Sequence, residues 1–137
     1  MNPFDLRDRI KSNALQSRQY RDEARATCGQ ARYDLQMKAR NLGGDTRLLH
    51  LAYGLLRGMT IEQVESPNTT TPLWGWRTVL KTVQDYYWES PRKEQTQEDF
   101  DAEKAARLAQ VEKDLIQWQN TIWKRILTLQ VERKLAS

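Results

Sequence analysis

Apolar and small residues recur mostly at intervals of three or four along the first 42 residues, the spacing that places side chains on one face of an α-helix. Asn2 can cap the amino end of this helix, Pro3 suits its first turn, and a Gly-Gly pair follows the last apolar position. We therefore predict one long helix over residues 3–42, with a bend as an alternative at Gly29. The inward stripe comprises Leu6, Ile10, Tyr20, Ala24, Cys28, Ala31, Leu35, Ala39 and Leu42.

A second long stripe lies near the end of the sequence, where residues 97–135 contain neither glycine nor proline. Its members follow steps of three or four residues, and they are Leu108, Val111, Leu115, Trp118, Ile122, Ile126 and Leu129. Ile116, Trp123 and Leu127 widen this face on one side. A face this broad predicts a terminal helix over about 97–135 that packs against two neighbours.

Capping signals predict two shorter helices after the first long one. Asp45 is positioned to cap a helix over about 46–57, which a glycine then ends. Thr60 and Gln63 have the spacing of a capping box, in which each side chain binds a backbone N–H of the other position. We therefore expect a further short helix over about 60–65.

A fourth helix is predicted over about 72–89, because Thr71 and Pro72 supply a cap and a first helical residue. The sequence thus predicts a single all-α domain of about five helices. We expect the two long terminal helices to pack antiparallel, with the three shorter helices closing one end. The alternative is that the long helices pair between subunits and form a homodimer.

The sequence WGW at residues 74–76 places two tryptophans on the fourth predicted helix. If that helix begins at Pro72, Trp76 shares its inward face with Leu80 and Val83. The candidate partner-binding residues lie opposite, and they are Trp74, Arg77, Thr78, Lys81 and Trp88. Tryptophan and arginine are enriched in binding hot spots, which favours a partner-binding ridge. The alternative is that both outer tryptophans pack beneath the long helices as core residues.

Residues 46–89, which include LLRGMTIEQVES, resemble a helix-turn-helix unit: a helix that ends at glycine, a capped short helix, and a second helix. The resemblance implies that Ile61 and Val64 pack the supporting helix. It also implies a DNA-facing side composed of Thr71, Trp74, Arg77, Thr78 and Lys81. The segment between Glu65 and Pro72 is longer than the usual turn of about three to four residues in such units.

Positive charge is concentrated in the first part of the chain. The net charge is +4, but residues 1–58 alone contain eleven Lys and Arg against six Asp and Glu. Four arginines recur on one side of the first predicted helix, and they are Arg18, Arg21, Arg25 and Arg32. One interpretation is that this basic face binds a phosphate backbone or an acidic protein surface. The alternative is an ordinary solvent-facing helix surface with local ion pairs, such as Asp22 with Arg25.

Residues suited to catalysis or metal binding are scarce. Cys28 is the only cysteine and His50 the only histidine, so a zinc site, a cysteine–histidine pair and a Ser-His-Asp triad are not expected. The sequence also lacks a glycine-rich phosphate loop. We expect no enzyme activity, no cofactor and no metal, with Cys28 as a small core thiol and His50 as a half-buried packing residue.

The same features predict the setting and the function. A single thiol is typical of a reducing compartment, and the longest apolar run, LLHLAYGLL, falls far short of the roughly 20 residues that cross a bilayer. We predict a soluble, cytoplasmic protein that does not enter a membrane. The leading hypothesis is a non-catalytic helical interaction protein, such as a small inhibitor, adaptor or assembly subunit, which docks a basic and aromatic surface on a larger protein or nucleoprotein complex. The alternative is a nucleic-acid-binding protein of the helix-turn-helix type.

Overall fold

The structure is a computed structural model that describes residues 1–66 and 75–137. These ranges contain five helices and no strand: α1 (Pro3–Arg25), α2 (Gly29–Leu56), α3 (Ile61–Val64), α4 (Trp76–Asp85) and α5 (Gln97–Ala136). The prediction of an all-α fold with about five helices and long helices at both ends is confirmed. The helix boundaries and the packing of the long helices differ from those predicted.

The first long helix ends far earlier than predicted. Helix α1 begins at a capping box, in which the Asn2 side chain accepts from the backbone of Asp5 and the Asp5 side chain accepts from the Asn2 backbone. It ends at Arg25, and the chain then reverses direction before Gly29, whose φ of 67° lies in the left-handed region. Glycine adopts this conformation at little cost, which allows the chain to reverse direction between Arg25 and Gly29. The predicted helix over residues 3–42 is therefore two helices.

Helix α2 continues where the sequence predicts an interruption. Gly43 and Gly44 lie inside this helix, and Asp45, predicted to cap a new helix, lies inside it as well. The helix gains stability by packing along α1 as an antiparallel hairpin. Ser17 Oγ donates to the carbonyl oxygen of Ala39 at 3.2 Å, and both residues are buried. Tertiary packing of this kind outweighs the roughly 1 kcal/mol that each glycine costs relative to alanine.

The antiparallel partner of α1 is α2, and not the terminal helix as predicted. Helix α5 packs instead against α4 and α3, while α4 also packs against α2. One buried cluster draws on all five helices, and its larger members are Leu6, Ile10, Leu49, Leu51, Leu55, Ile61, Val79, Val83, Tyr86, Val111, Leu115, Trp118 and Ile122. Helix α4 therefore lies between α2 and α5 and links them.

The end of α2 positions the short helix that follows. Gly58 has a φ of 83°, and the amides of Gly58 and Met59 donate to the carbonyls of Leu55 and Gly54 at 3.1 and 2.9 Å. This is a Schellman motif, which satisfies the last carbonyl groups of a helix. Helix α3 then begins at a capping box between Thr60 and the third helical residue, as the sequence predicts.

The fourth helix is shorter than predicted. Its predicted start at Pro72 lies outside the described residues, and the structure describes helix from Trp76 to Asp85. The predicted end near Glu89 is wrong, since residues 86–96 form turns and bends before Thr96 caps α5. None of the helices in residues 1–66 and 75–137 combines the length and apolar character that a membrane-spanning helix requires.

Candidate functional site

The predicted ridge on the fourth helix is only partly assembled. Trp76 is half-buried against the core, and the Arg77 guanidinium lies 5.2 Å from the centre of its ring. Arg77, Thr78 and Lys81 are exposed, as predicted. Trp74 and Thr71 lie outside the described residues. The described part of α4 thus presents a short polar and basic surface above a half-buried tryptophan.

Trp88 does not belong to that ridge, because α4 ends three residues earlier, at Asp85. Its ring is 45% exposed and packs edge to face against Phe4, with the ring centres 5.6 Å apart. Phe4 is itself 52% exposed, and the guanidinium of Arg7 lies 5.4 Å from its ring centre. We call Phe4, Arg7 and Trp88 the aromatic cluster. It brings the start of α1 to the segment that follows α4.

The sequence-based prediction missed Phe4 and Arg7. Phe4 falls outside the inward stripe of α1, which passes through Leu6 and Ile10, and a large aromatic residue at such a position signals an exposed contact. Its packing against Trp88 joins positions far apart in sequence, so no local pattern predicts it.

A cavity of about 550 Å³ opens beside Trp88, between the ends of α2 and α4 and the start of α5. We call it the α4–α5 cavity. Its apolar wall comprises Leu55, Leu56, Val83, Tyr87, Trp88 and Phe100. This size and lining match sites that hold a small molecule or an inserted side chain, which typically occupy about 300–1,000 Å³.

Charged groups form one side of this cavity. Arg92 Nη2 lies 3.1 Å from Glu103 Oε2, and the same oxygen accepts from Gln95. Arg107 donates to the backbone carbonyl of Leu55 at 3.0 Å, which ties α5 to the end of α2. Glu103 therefore neutralises Arg92, whereas the guanidinium of Arg107 contributes positive charge to the wall.

The Tyr87 hydroxyl stays protonated at neutral pH. Burial raises the pKa of Tyr87 above its ordinary value of 10.0, the Glu103 carboxylate adds to this increase, and Arg107 and Arg92 oppose it. The Tyr87 ring also lies 5.9 Å from that of Phe100 and 5.6 Å from the ammonium group of Lys104. The cavity therefore offers an apolar wall with a neutral hydroxyl and the guanidinium of Arg107, which has no carboxylate partner among residues 1–66 and 75–137.

The four arginines of the predicted basic face do not share one helix. Arg32 lies on α2, after the chain reversal. Arg25 forms an ion pair with Asp22 on α1, with Nη1 3.4 Å from Oδ1. Arg18 and Arg21 do lie together, in a groove of about 550 Å³ between α1 and α2. The same groove contains two residues that the sequence-based prediction did not assign to it, Arg47 and His50.

His50 is exposed, so its predicted role as a half-buried packing residue is wrong. Cys28 is also exposed, so its predicted role as a small core thiol is wrong: it lies at the chain reversal, just before the first residue of α2, instead of within a continuous helix. Within residues 1–66 and 75–137, no group of three His, Cys, Asp or Glu side chains is arranged to bind a metal ion.

Comparisons with protein-family models, curated proteins and solved structures found no match for this chain.

Proposed function

We propose that this protein is a non-catalytic helical interaction module that holds a larger macromolecular partner through the aromatic cluster and the adjacent α4–α5 cavity. The observation that carries this proposal is the exposed edge-to-face pair of Phe4 and Trp88 at the cavity that Trp88 lines. Tryptophan and arginine next to a pocket have the composition of an interface hot spot. Small inhibitors, adaptors and assembly subunits act through surfaces of this kind.

The chemistry of the cavity favours a particular partner surface. An apolar or aromatic side chain of the partner would fill the α4–α5 cavity and pack against Leu56, Tyr87 and Phe100. The transfer of that side chain from water into the cavity would supply most of the binding energy. Arg107 in the wall and Arg7 in the aromatic cluster favour carboxylates beside that side chain. We therefore expect the partner to present an apolar anchor flanked by acidic residues.

A comparison of two single-residue variants tests this function. Trp88→Ala should weaken partner binding by about 2 kcal/mol, or roughly 30-fold, because it removes the aromatic anchor beside the cavity. Tyr33→Ala is the matched control, since Tyr33 is a 56% exposed aromatic residue on α2, far along the chain from the cluster. Immobilised wild type and variants would be compared in nuclease-treated extract of the source cells, followed by titration with the purified partner. Equal affinity of wild type and Trp88→Ala would contradict the proposal.

A nucleic-acid-binding protein of the helix-turn-helix type is the second candidate. The observation in its favour is that Arg77, Thr78 and Lys81 all face solvent on α4. Arg77→Ala and Lys81→Ala should each reduce the slope of log affinity against log salt by about 0.9, the value per phosphate contact. Strongly salt-dependent DNA binding that Trp88→Ala leaves unchanged would favour this candidate over the interaction module.

We place this activity inside the cell. Support for this setting comes from Cys28, a free and exposed thiol that a reducing compartment preserves.

A further inference from the structure

The groove of about 550 Å³ between α1 and α2 has an excess of positive charge. We call it the α1–α2 groove. Its ionisable lining residues are Arg18, Arg21, Arg47, His50 and Glu65. Glu65 accepts from Arg47 through both carboxylate oxygens, so the charges of this pair cancel. The positive charges of Arg18 and Arg21 remain.

Arg18 and Arg21 have no carboxylate partner. Both are exposed on α1, and neither forms an ion pair within residues 1–66 and 75–137. Residues 67–74 contain no Asp or Glu, so that segment supplies no carboxylate either. Two like charges three positions apart on a helix repel each other. An anion that binds both guanidinium groups would relieve this repulsion.

The register of the α1–α2 hairpin brings these arginines toward Arg47. Ser17 lies opposite Ala39, as their hydrogen bond shows, so one turn back along α1 corresponds to one turn forward along α2, at Gly43. Side chains on a helix point toward its amino end. The two arginines of α1 therefore approach the level of Gly43 from one side, and Arg47 approaches it from the other, in agreement with their shared groove.

Gly43 leaves space where these side chains converge. A β-carbon built on Gly43 meets nothing within 4 Å, and its φ is not positive. The fold therefore does not require glycine at this position, although glycine weakens a helix relative to alanine. A glycine in the lining of a positively charged groove permits a ligand to approach the helix closely.

The charge of the groove matches that of a phosphate monoester. Such a group carries about −1.5 to −2 charges at pH 7, and guanidinium groups bind its oxygens in a planar fork. A phosphodiester carries a single negative charge, which leaves one of the two arginines without a counter-charge. The bonds from Arg47 to Glu65 use Nε and Nη2, so Nη1 faces no competition from Glu65 for the same phosphate.

The polar lining of the groove favours a ligand that also has hydroxyl groups. Thr46 Oγ1 donates to the carbonyl oxygen of Leu42 at 2.7 Å, so it can only accept from a ligand. The exposed imidazole of His50 can donate or accept. The described residues that line the groove include no Phe, Tyr or Trp on which a nucleic-acid base could stack.

We propose that the α1–α2 groove binds a small sugar phosphate, with its phosphate held by Arg18, Arg21 and Nη1 of Arg47. The sugar hydroxyls lie against Thr46 and His50. An extended phosphopeptide fits less well, because the backbone groups of both helices are bonded within the helices. The groove shares no residue with the aromatic cluster or the α4–α5 cavity, so this site does not depend on the proposed function.

Isothermal titration calorimetry of the full chain tests the ligand class, with ribose 5-phosphate as the probe. We expect one site per chain and binding at least about 10-fold tighter than that of dimethyl phosphate, which has the charge of a diester. Ribose itself should not bind. Absence of ribose 5-phosphate binding at millimolar concentrations, or equal affinity for inorganic phosphate, would overturn the proposal.

Arg18→Gln and Arg21→Gln should each weaken ribose 5-phosphate binding by at least about 10-fold, because each removes a guanidinium from the phosphate. Arg32→Gln is the matched control, since Arg32 is exposed on α2 and does not line the groove. It removes the same charge and should change the dissociation constant by less than about 2-fold. Circular dichroism melting establishes that the variants fold. Equal effects of all three substitutions would show attraction by net charge alone and overturn the site.

Gly43→Leu tests the position of the site without removing a charge. The leucine side chain would enter the groove where the arginines converge and abolish ribose 5-phosphate binding. Gly44→Leu is the matched control, because a β-carbon there also meets nothing within 4 Å but Gly44 does not line the groove. Leucine favours a helix more than glycine does, so both variants should fold. Unchanged binding by Gly43→Leu would overturn the proposal.

Fluorescence anisotropy separates a sugar phosphate from macromolecules that carry phosphate. A labelled single-stranded oligonucleotide and a labelled phosphoserine peptide would each be titrated with the protein. Any binding that requires Arg18 and Arg21 should be displaced by ribose 5-phosphate. An oligonucleotide or phosphopeptide that binds through these arginines and resists displacement would assign the groove to that macromolecule and overturn the proposal.

Discussion

The guanidinium of Arg47 binds both carboxylate oxygens of Glu65, with Nη2 2.8 Å from Oε2 and Nε 3.3 Å from Oε1. This bidentate pair ties the middle of α2 to the residue that ends α3. The Glu65 side chain is only 10% exposed, so solvent screens the pair weakly. Because Glu65 neutralises Arg47, the positive charge of the adjacent groove comes chiefly from Arg18 and Arg21.

Glu65→Gln should lower the free energy of unfolding by about 1–3 kcal/mol, because the partly buried guanidinium of Arg47 loses its ionic partner. Asp22→Asn is the matched control, since Asp22 pairs with Arg25 on an exposed surface and should cost less than about 0.5 kcal/mol. Urea denaturation of both variants measures the difference. Equal losses of unfolding free energy in the two variants would show that the Arg47–Glu65 pair stabilises the fold no more than the exposed Asp22–Arg25 pair.

Gly54→Ala should destabilise the protein by about 1–3 kcal/mol through overpacking. A β-carbon at Gly54 would collide with the Cγ2 atom of Val64, where α3 crosses α2. Valine is stiff at χ1, so the contact cannot relax by simple rotation. Adding Val64→Ala should recover part of the loss in thermal melting, and a stable single variant would show that α3 does not pack this closely on α2.

Gly44→Ala should have the opposite effect and stabilise the protein by about 0.5–1 kcal/mol. Gly44 lies inside α2, its φ is not positive, and a β-carbon built there meets nothing within 4 Å. Chemical denaturation gives the sign directly. A destabilising effect would indicate a helix break near Gly44, as the sequence pattern alone predicts.

Trp76→Ala should cost about 2–4 kcal/mol of stability, because its ring packs against the core from the first turn of α4. Arg77→Ala should cost far less, since Arg77 is exposed and contacts the outer face of that ring. Thermal melting of the two variants compares these roles. A larger loss for Arg77→Ala would mean that the cation stabilises α4 more than the buried ring does.

Tyr87→Phe should reduce the decrease in the free energy of unfolding that occurs as the pH rises above about 10. The pKa of Tyr87 is raised in the folded protein, so the unfolded chain, with a value near 10.0, loses this proton first. The stability linked to Tyr87 is therefore present below pH 10 and declines as the pH rises through the folded-state value. Urea midpoints for wild type and variant, measured from pH 8 to pH 11, should diverge only above about pH 10. Parallel curves would contradict the raised pKa.

Several local features follow from the sequence alone. The capping boxes at Asn2 and Thr60 depend on residues three positions apart, so local chemistry determines them. The centre of the buried face of α5 follows from helical periodicity, since its predicted members Val111, Leu115 and Ile122 are fully buried. The predicted extension of that face is wrong, because Ile116, Leu127 and Leu129 are exposed. The exposure of Arg77 and Lys81 follows from the same periodicity on α4. Each of these features is decided within one or two helical turns.

Tertiary contacts decided the features that the sequence pattern predicts wrongly or misses. The helix predicted over residues 3–42 is interrupted before Gly29 but continues through Gly43, because Gly29 lies at the chain reversal whereas Gly43 lies where α2 is supported by α1. Periodicity identifies the side of a helix that is buried but not the neighbour that buries it, so α1 packs on α2 instead of α5. Phe4 lies at the start of α1 and Trp88 follows α4, so four helices lie between them along the chain. Only the packing of those helices brings the two rings together.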